Sequence, residues 1–242
     1  MIAHDYHAMD LEPGKVLYET KYVWELPVRL THWIIAASIF ILFATGLYIA
    51  SPVAGPRGEP YNNFFMGRVR ETHFIAAYVF LFAMLVRLYW FFVGNRYARS
   101  GFPRVWQGEW WKELFEQMKE YTGVTRGPVQ LGHNALAGAS YFFFVWCLGI
   151  FQIATGFALY GEDNSGGFWD TTFGWVRPLL GGSFATHVWH HTATWAFVIF
   201  FFLHLYIVLM DVARFKNGLL GSMTAGFKFY RKGDLDHDRW LT

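Results

Sequence analysis

His187 to Met210 reads HVWHHTATWAFVIFFFLHLYIVLM, a stretch without Asp, Glu, Lys or Arg. About 20 apolar residues in a helix cross a bilayer, so this stretch is long enough to span one. Yet it carries four of the chain's ten histidines: His187, His190, His191 and His204. An ionisable ring at membrane depth is costly and faces the bundle interior or a cavity by default. The spacing of these rings decides how the rest of the chain is read.

Three further runs resemble it. Trp33–Ala50 follows Pro27, which suits the first turn of a helix, and stops at Ser51-Pro52. His73–Gly94 is interrupted only by Arg87, and its helix is expected to begin near Met66. Ala135–Gly161 is uncharged, and Gly138, Gly149 and Gly156 would let a neighbouring helix come close. The expected spans are 27–50, 67–94, 135–161 and 187–211. Residues 95–134 and the segments 51–66 and 162–186 connect them. Trp106, Trp110 and Trp111 lie among charges in the first of these connections, which reads as an amphipathic helix in the membrane interface. Residues 1–25 read as a tail or interfacial segment, and a basic tail follows Arg214. The fold class is an all-α membrane protein, a four-transmembrane-helix bundle forming a single membrane domain over 1–242.

Composition agrees. Apolar residues make up 54% of the chain and charged residues only 16%, which disfavours a soluble domain. The single cysteine, Cys147, excludes an intrachain disulfide and any cysteine-built zinc or iron–sulfur site. Cys147 reads as inert core. No Cys-x-x-Cys-His is present, so covalent c-type haem attachment is excluded. The early acidic residues do not suit a secretory signal. With the N-terminus inside, fifteen Lys and Arg lie on the inner side and four on the outer, so both termini are expected to be cytoplasmic. The bilayer is then that of a bacterial cytoplasmic (inner) membrane. No nucleic-acid partner is expected.

A helix turns about 100° and rises 1.5 Å per residue. The fourteen residues from His190 to His204 are close to four turns, placing the two rings on nearly one face about 21 Å apart. His191 and His187 fall about 140° and 100° off the His204 direction. Depth gives a second constraint. His190 lies near the outer end of its span, as does His73, while His204 and His32 lie near the inner ends of theirs. The pairs His73/His190 and His32/His204 are what two bis-histidine b-type haems, one above the other, would need. Helical bundles build cofactor sites from side chains on facing helices in this way, and neutral imidazole is a good iron ligand. Taken singly, a histidine near a helix end is more often an interfacial polar residue. His187 and His191 read as interface or partner-facing, His133 as a loop or quinone-side residue, and His4, His7 and His237 as exposed tail residues. Arg29, Arg70 and Arg87 are candidates for pairing with haem propionates, since Arg binds carboxylates bidentately. Topogenic or headgroup contact is the plainer reading for each, but Arg87 lies inside a span, where an unpaired charge is costly.

Several segments carry a resemblance to a known family: YVWELPVRLTHW (22–33), MGRVRETHF (66–74), RLYWFFVGNRYAR (87–99), GHNALA (132–137), TGFALYGE (155–162) and WHHTATW (189–195). Together they resemble the b-type cytochrome subunit of membrane-bound nickel–iron hydrogenases, similar in architecture to the cytochrome subunit of respiratory formate dehydrogenases. The resemblance implies two haems b held by His32, His73, His190 and His204. It implies partners in a hydrogenase small iron–sulfur subunit and a large nickel–iron subunit, and quinone as electron acceptor. It places Asn134 at a quinone site, although a helix N-cap explains that residue equally well. Only Asp211 stands where the family has two adjacent acidic residues, and Ala135 stands where a proline is common; both departures touch the quinone end. A formate dehydrogenase or thiosulfate reductase partner is the first alternative. A transporter or purely structural anchor without haem is the second, but inverted repeats and broken helices are not evident.

Overall fold

Pro27 sits in the first turn of the first long helix, where its missing N–H costs nothing. The structure, a computed structural model, describes residues 18–53, 63–123, 131–215 and 218–231. His4, His7, His237 and the basic residues Lys15, Arg57, Arg126, Lys216, Lys232 and Arg239 lie outside the described residues. In chain order come strand β1 (Tyr18–Tyr22), helix α1 (Leu26–Ala50) and helix α2 (Phe65–Val93). A 3-10 turn over Arg96–Arg99 leads to α3 (Gly108–Tyr121). The next rod is α4 (Ala135–Tyr141), a wide π turn over Phe142–Cys147, and α5 (Leu148–Tyr160), ending in a 3-10 turn at Gly161–Asp163. Short helices α6 (Phe168–Phe173) and α7 (Val176–Leu180) precede α8 (Ser183–Phe215), then α9 (Leu219–Ala225) and strand β2 (Phe227–Arg231).

Four helices are long and apolar enough to cross a membrane: Leu26–Ala50, Phe65–Val93, Ala135–Asp163 and Ser183–Ala213. The fourth begins four residues earlier than the sequence suggests, because Ser183 follows two glycines with positive φ, Gly181 and Gly182, that reverse the chain. The helices are antiparallel neighbours in two pairs, α1 along α2 and α5 along α8. Ile35 of α1 packs on Phe80, Ala83 and Met84 of α2, with Val145, Trp146 and Ile153 of the third span against them. A Cβ on Gly149 would stand 3.4 Å from the Met84 methyl, so the absent side chain lets the third span approach α2. Large apolar side chains such as Phe40, Phe82 and Phe92 point outward and stay exposed, a surface suited to lipid. Cys147, at the end of the π turn, is among the outward-facing residues and not in the core.

With inner naming the bundle end that carries His32 and His204 and outer the end that carries His73 and His190, the inner ends are tied by contacts between distant parts of the chain. β1 and β2 pair antiparallel, Tyr18 opposite Arg231 and Tyr22 opposite Phe227. The backbone N–H groups of Val23 and Trp24 both donate to the Gly226 carbonyl, at 2.8 and 3.1 Å. Residues 18–22 and 227–231 are therefore a two-stranded ribbon and not free tails. Glu25 Oε2 accepts from Trp90 Nε1 at 2.8 Å and from the Asn95 N–H at 2.7 Å, clamping the entry of α1 to the exit of α2. Val23, Trp24, Val28, Tyr97, Ala98 and Leu131 form a buried cluster beneath this clamp. α3 packs against α4 and buries Gln117, Glu120 and Tyr121 while Trp106 and Trp111 stay outward.

At the outer end, residues 162–186 hold α6 and α7 where the sequence suggests a loop. Arg177 explains their order: it pairs with Glu162 at 3.2 Å and with Asp170. Trp169 stacks on Phe157 of α5 with centroids 4.0 Å apart.

Replacing Glu25 by Ala should remove the clamp and leave two donors unmet. Hydrogen bonds to charged groups contribute about 1.5–3 kcal/mol each, so the thermal midpoint of the solubilised protein should fall by several degrees, read from tryptophan fluorescence.

Candidate functional site

Between the helix pairs runs a cavity of about 2190 Å³, lined by His32, His73, His190 and His204. Single-ligand pockets reach about 1,000 Å³, so the space is about twice that of one large ligand. Each helix pair supplies one histidine at each end: His73 from α2 and His190 from α8 outside, His32 from α1 and His204 from α8 inside.

The outer two rings are held alike. His73 Nδ1 lies 2.8 Å from Thr45 Oγ1 of α1, and His190 Nδ1 lies 2.8 Å from Thr155 Oγ1 of α5. Each ring rests where a glycine clears space. A Cβ on Gly46 would come within 3.3 Å of His73 Cε1, and one on Gly156 within 3.2 Å of His190 Cε1. Gln152 Nε2 also donates to the His190 carbonyl at 3.1 Å and to Thr194 Oγ1 at 2.9 Å, fixing α5 on α8.

The inner rings are arranged differently. His32 and His204 face each other with centroids 6.3 Å apart and planes 47° apart, beyond direct hydrogen bonding. Trp33 meets His32 edge-on at 5.0 Å, and Phe200 lies 5.7 Å from His204. His32 Nδ1 is buried with no hydrogen-bond partner among the described residues. A buried nitrogen left unmet costs about 1–3 kcal/mol. The gap between two such rings suits a planar group with a metal that takes one nitrogen from each side. Among the described residues no three His, Cys, Asp or Glu side chains converge as a protein-only metal centre requires; the histidines come in twos.

Charged and polar groups gather at the inner mouth. Arg87 is 4% exposed; one guanidinium nitrogen donates to the Ala98 carbonyl at 2.9 Å, and Nη1 has no partner among the described residues. Its guanidinium lies 5.5 Å from the Tyr141 ring centre. His133 stacks on the same tyrosine at 5.3 Å, and its Nδ1 lies 3.0 Å from Ser100 Oγ. Burial, aided by the charges of Arg87 and Lys228, lowers the His133 pKa to about 3. Lys228 of β2 is buried over Trp24, and burial lowers its pKa to about 8 against the opposing charge of Asp211. Asn134 Oδ1 accepts from the Ala137 N–H at 2.7 Å, capping α4, while Nδ2 donates to Tyr121 Oη at 2.9 Å. Asn134 is thus a helix cap that also lines the cavity. Burial raises the Tyr121 hydroxyl to about 12.

The remaining sequence candidates separate. Arg70, one turn before His73, lines the outer part of the cavity and is exposed. Arg29 is not among the residues that line the cavity; its Nη1 donates to the Thr224 carbonyl, tying α1 to α9, and its buried Nε has no partner among the described residues. His187 and His191 also border the cavity, but His187 Nδ1 lies 3.0 Å from the Ser183 carbonyl and His191 accepts weakly from Trp195 Nε1 at 3.4 Å. Sequence reasoning passed over Thr45, Gly46 and Thr155 and read Gly156 only as room for a neighbouring helix, although Ala-Thr-Gly recurs at 44–46 and 154–156. Lys228 was missed because it reaches the site only through the ribbon.

The family profile of prokaryotic cytochrome b561 matches residues 23–226, whose two ends meet in the Val23–Gly226 hydrogen bond. The chain belongs to the prokaryotic cytochrome b561 family. It is therefore a b-type cytochrome, whose cofactor is haem b. The cytochrome is 39% identical over 221 residues to a probable Ni/Fe-hydrogenase B-type cytochrome subunit of Cupriavidus necator, covering 90% of each chain. It is 34% identical to the protein of that name from Rhizobium leguminosarum, over 96% of this chain and 98% of the other. A probable Ni/Fe-hydrogenase 1 B-type cytochrome subunit of Escherichia coli K12 is 32% identical, over 89% of this chain and 94% of its own.

His133 supplies a pH test. Its folded-state pKa lies below the unfolded value of about 6.5, so the neutral ring supports the fold above pH 6.5. That support declines as pH falls from 6.5 towards 3. Thermal midpoints measured between pH 7.5 and 4.5 should fall less steeply for His133→Gln than for the unmodified cytochrome, with the curves parallel above pH 6.5.

Proposed function

We propose that this cytochrome is the dihaem membrane subunit of a nickel–iron hydrogenase. In this reading it anchors the hydrogenase small and large subunits to the outer face of a bacterial cytoplasmic membrane. It carries electrons from hydrogen oxidation to the quinone pool on the inner side. The observation that carries the reading is the pairing of imidazoles at two depths of one cavity, one ring from each helix pair. The names of the relatives support the choice of partner, and the excess of Lys and Arg on the inner segments supports both termini being cytoplasmic.

Haem b, when bound, supplies a one-electron couple at each pair of rings. His73 and His190 would hold the outer group, and His32 and His204 the inner one. Neutral imidazole is required on both sides, and burial in an apolar cavity favours it. Arg87 offers the inner group a buried cation with one free edge, suited to a propionate carboxylate. Arg70 can serve the outer group from the solvent side. Arg29 does not line the cavity and gives Nη1 to the Thr224 carbonyl, so it is the least suited of the three.

The inner mouth has the polar groups a quinone head needs. Asn134 Nδ2 donates one N–H to Tyr121 Oη and has a second to offer a quinone carbonyl. Tyr206 Oη donates to the Tyr121 carbonyl at 3.1 Å and keeps that segment in place. The outward Trp and Phe side chains of the spans meet lipid.

Replacing His190 by Ala should lower the haem-to-chain ratio from two to one and abolish hydrogen-driven quinone reduction in the assembled complex. His191→Ala should leave the ratio at two. Haem extraction and the reduced-minus-oxidised spectrum of each purified variant check this. A loss confined to His191→Ala would assign the outer ligand to the wrong ring.

A further inference from the structure

The outer rings are held by threonines whose hydroxyls have only one proton to give. Thr45 Oγ1 lies 2.6 Å from the Ile41 carbonyl, and Thr155 Oγ1 lies 2.8 Å from the Phe151 carbonyl. A carbonyl cannot donate, so each hydroxyl proton is spent on its own helix. Toward the imidazole the hydroxyl oxygen can then only accept. His73 and His190 must both be Nδ1–H tautomers, donating to Thr45 and Thr155, with Nε2 left as a lone pair. The glycine that follows each threonine lets the ring approach the neighbouring helix closely.

Resting on the dihaem reading, we propose that Thr45 and Thr155 are positioning residues that lower the potential of the outer haem relative to the inner one. An imidazole that donates through Nδ1 is a more basic ligand through Nε2, and a more basic ligand favours the ferric state. Both outer ligands gain this effect. Inside, His32 Nδ1 is buried without a partner among the described residues, so that ligand is less electron-rich. The difference makes transfer from the outer site to the inner site downhill. It is written into side chains of α1 and α5 that touch no iron themselves.

The test uses the purified full-length cytochrome with its haem, titrated by spectroelectrochemistry. The variant lacking His190 identifies which component is the outer one. Thr45→Val and Thr155→Val keep the shape and remove the acceptor. Each should leave the haem-to-chain ratio at two and weaken the ferric preference of the outer component about tenfold. For a one-electron couple that is about 59 mV upward. The inner component should not move. Thr45→Ser and Thr155→Ser should restore the original potential. Two valine variants with an unmoved outer component, or a shift confined to the inner component, would overturn the proposal. If a valine variant loses its outer haem, the serine variant decides: recovery of both content and potential supports the proposal, and content recovered at a shifted potential contradicts it. Absence of haem from the unmodified protein would refute the dihaem reading instead.

Discussion

A ring nitrogen inside an apolar bundle has to be satisfied by a hydrogen bond or a ligand, because lipid and aliphatic side chains offer neither. This constraint orders the structure. The bundle forgoes apolar packing along its axis and leaves a cavity between two helix pairs. Four histidines border the gap, in two pairs by depth. Thr45 and Thr155 satisfy one nitrogen of each outer ring, Gly46 and Gly156 make room for the rings, and Gln152 fixes α5 on α8. At His32 the protein leaves Nδ1 without a hydrogen-bond partner among the described residues, so the inner ring lacks the support the outer rings have.

The two ends of the bundle are built by different means. The outer end is closed by short helices that an arginine with two carboxylate partners holds against α5 and α8. The inner end is closed by segments from opposite ends of the chain, through the ribbon and the Glu25 clamp. This brings a lysine from β2 and an arginine from α2 into one polar mouth with His133 and Asn134. The two ends of the bundle therefore present different chemistry, short helices held by ion pairs at one and a polar mouth at the other.

Much of this architecture is legible in the sequence. Runs of uncharged residues define four long helices, and the fourteen-residue interval between His190 and His204 brings them to one cavity. The rest depends on long-range contacts. β1 and β2 are short, polar and about two hundred residues apart, so neither reads as a strand alone. Asn134 illustrates a limit of local reasoning, since it is both a helix cap and a cavity wall. Arg29 and Arg87 are both propionate candidates in the sequence, with Arg87 set apart by its place inside a span; in the fold Arg29 ties α1 to α9 and Arg87 lines the cavity. Cys147 reads as core because it is mid-span, but mid-span position does not fix the face a residue takes, and the π turn at Phe142–Cys147 departs from the regular helical phase there. The threonines were hidden for another reason. A threonine in an apolar helix ordinarily bonds its own backbone, and only the repeated Ala-Thr-Gly hints at a second use.

The central claim is that the paired histidines face each other across bound haem at two depths. Anomalous scattering at the iron edge from crystals of the purified cytochrome tests this most directly. The account predicts two iron peaks per chain, one between His73 and His190 and one between His32 and His204. A single peak, no peak, or iron bound by His133, His187 or His191 would contradict it.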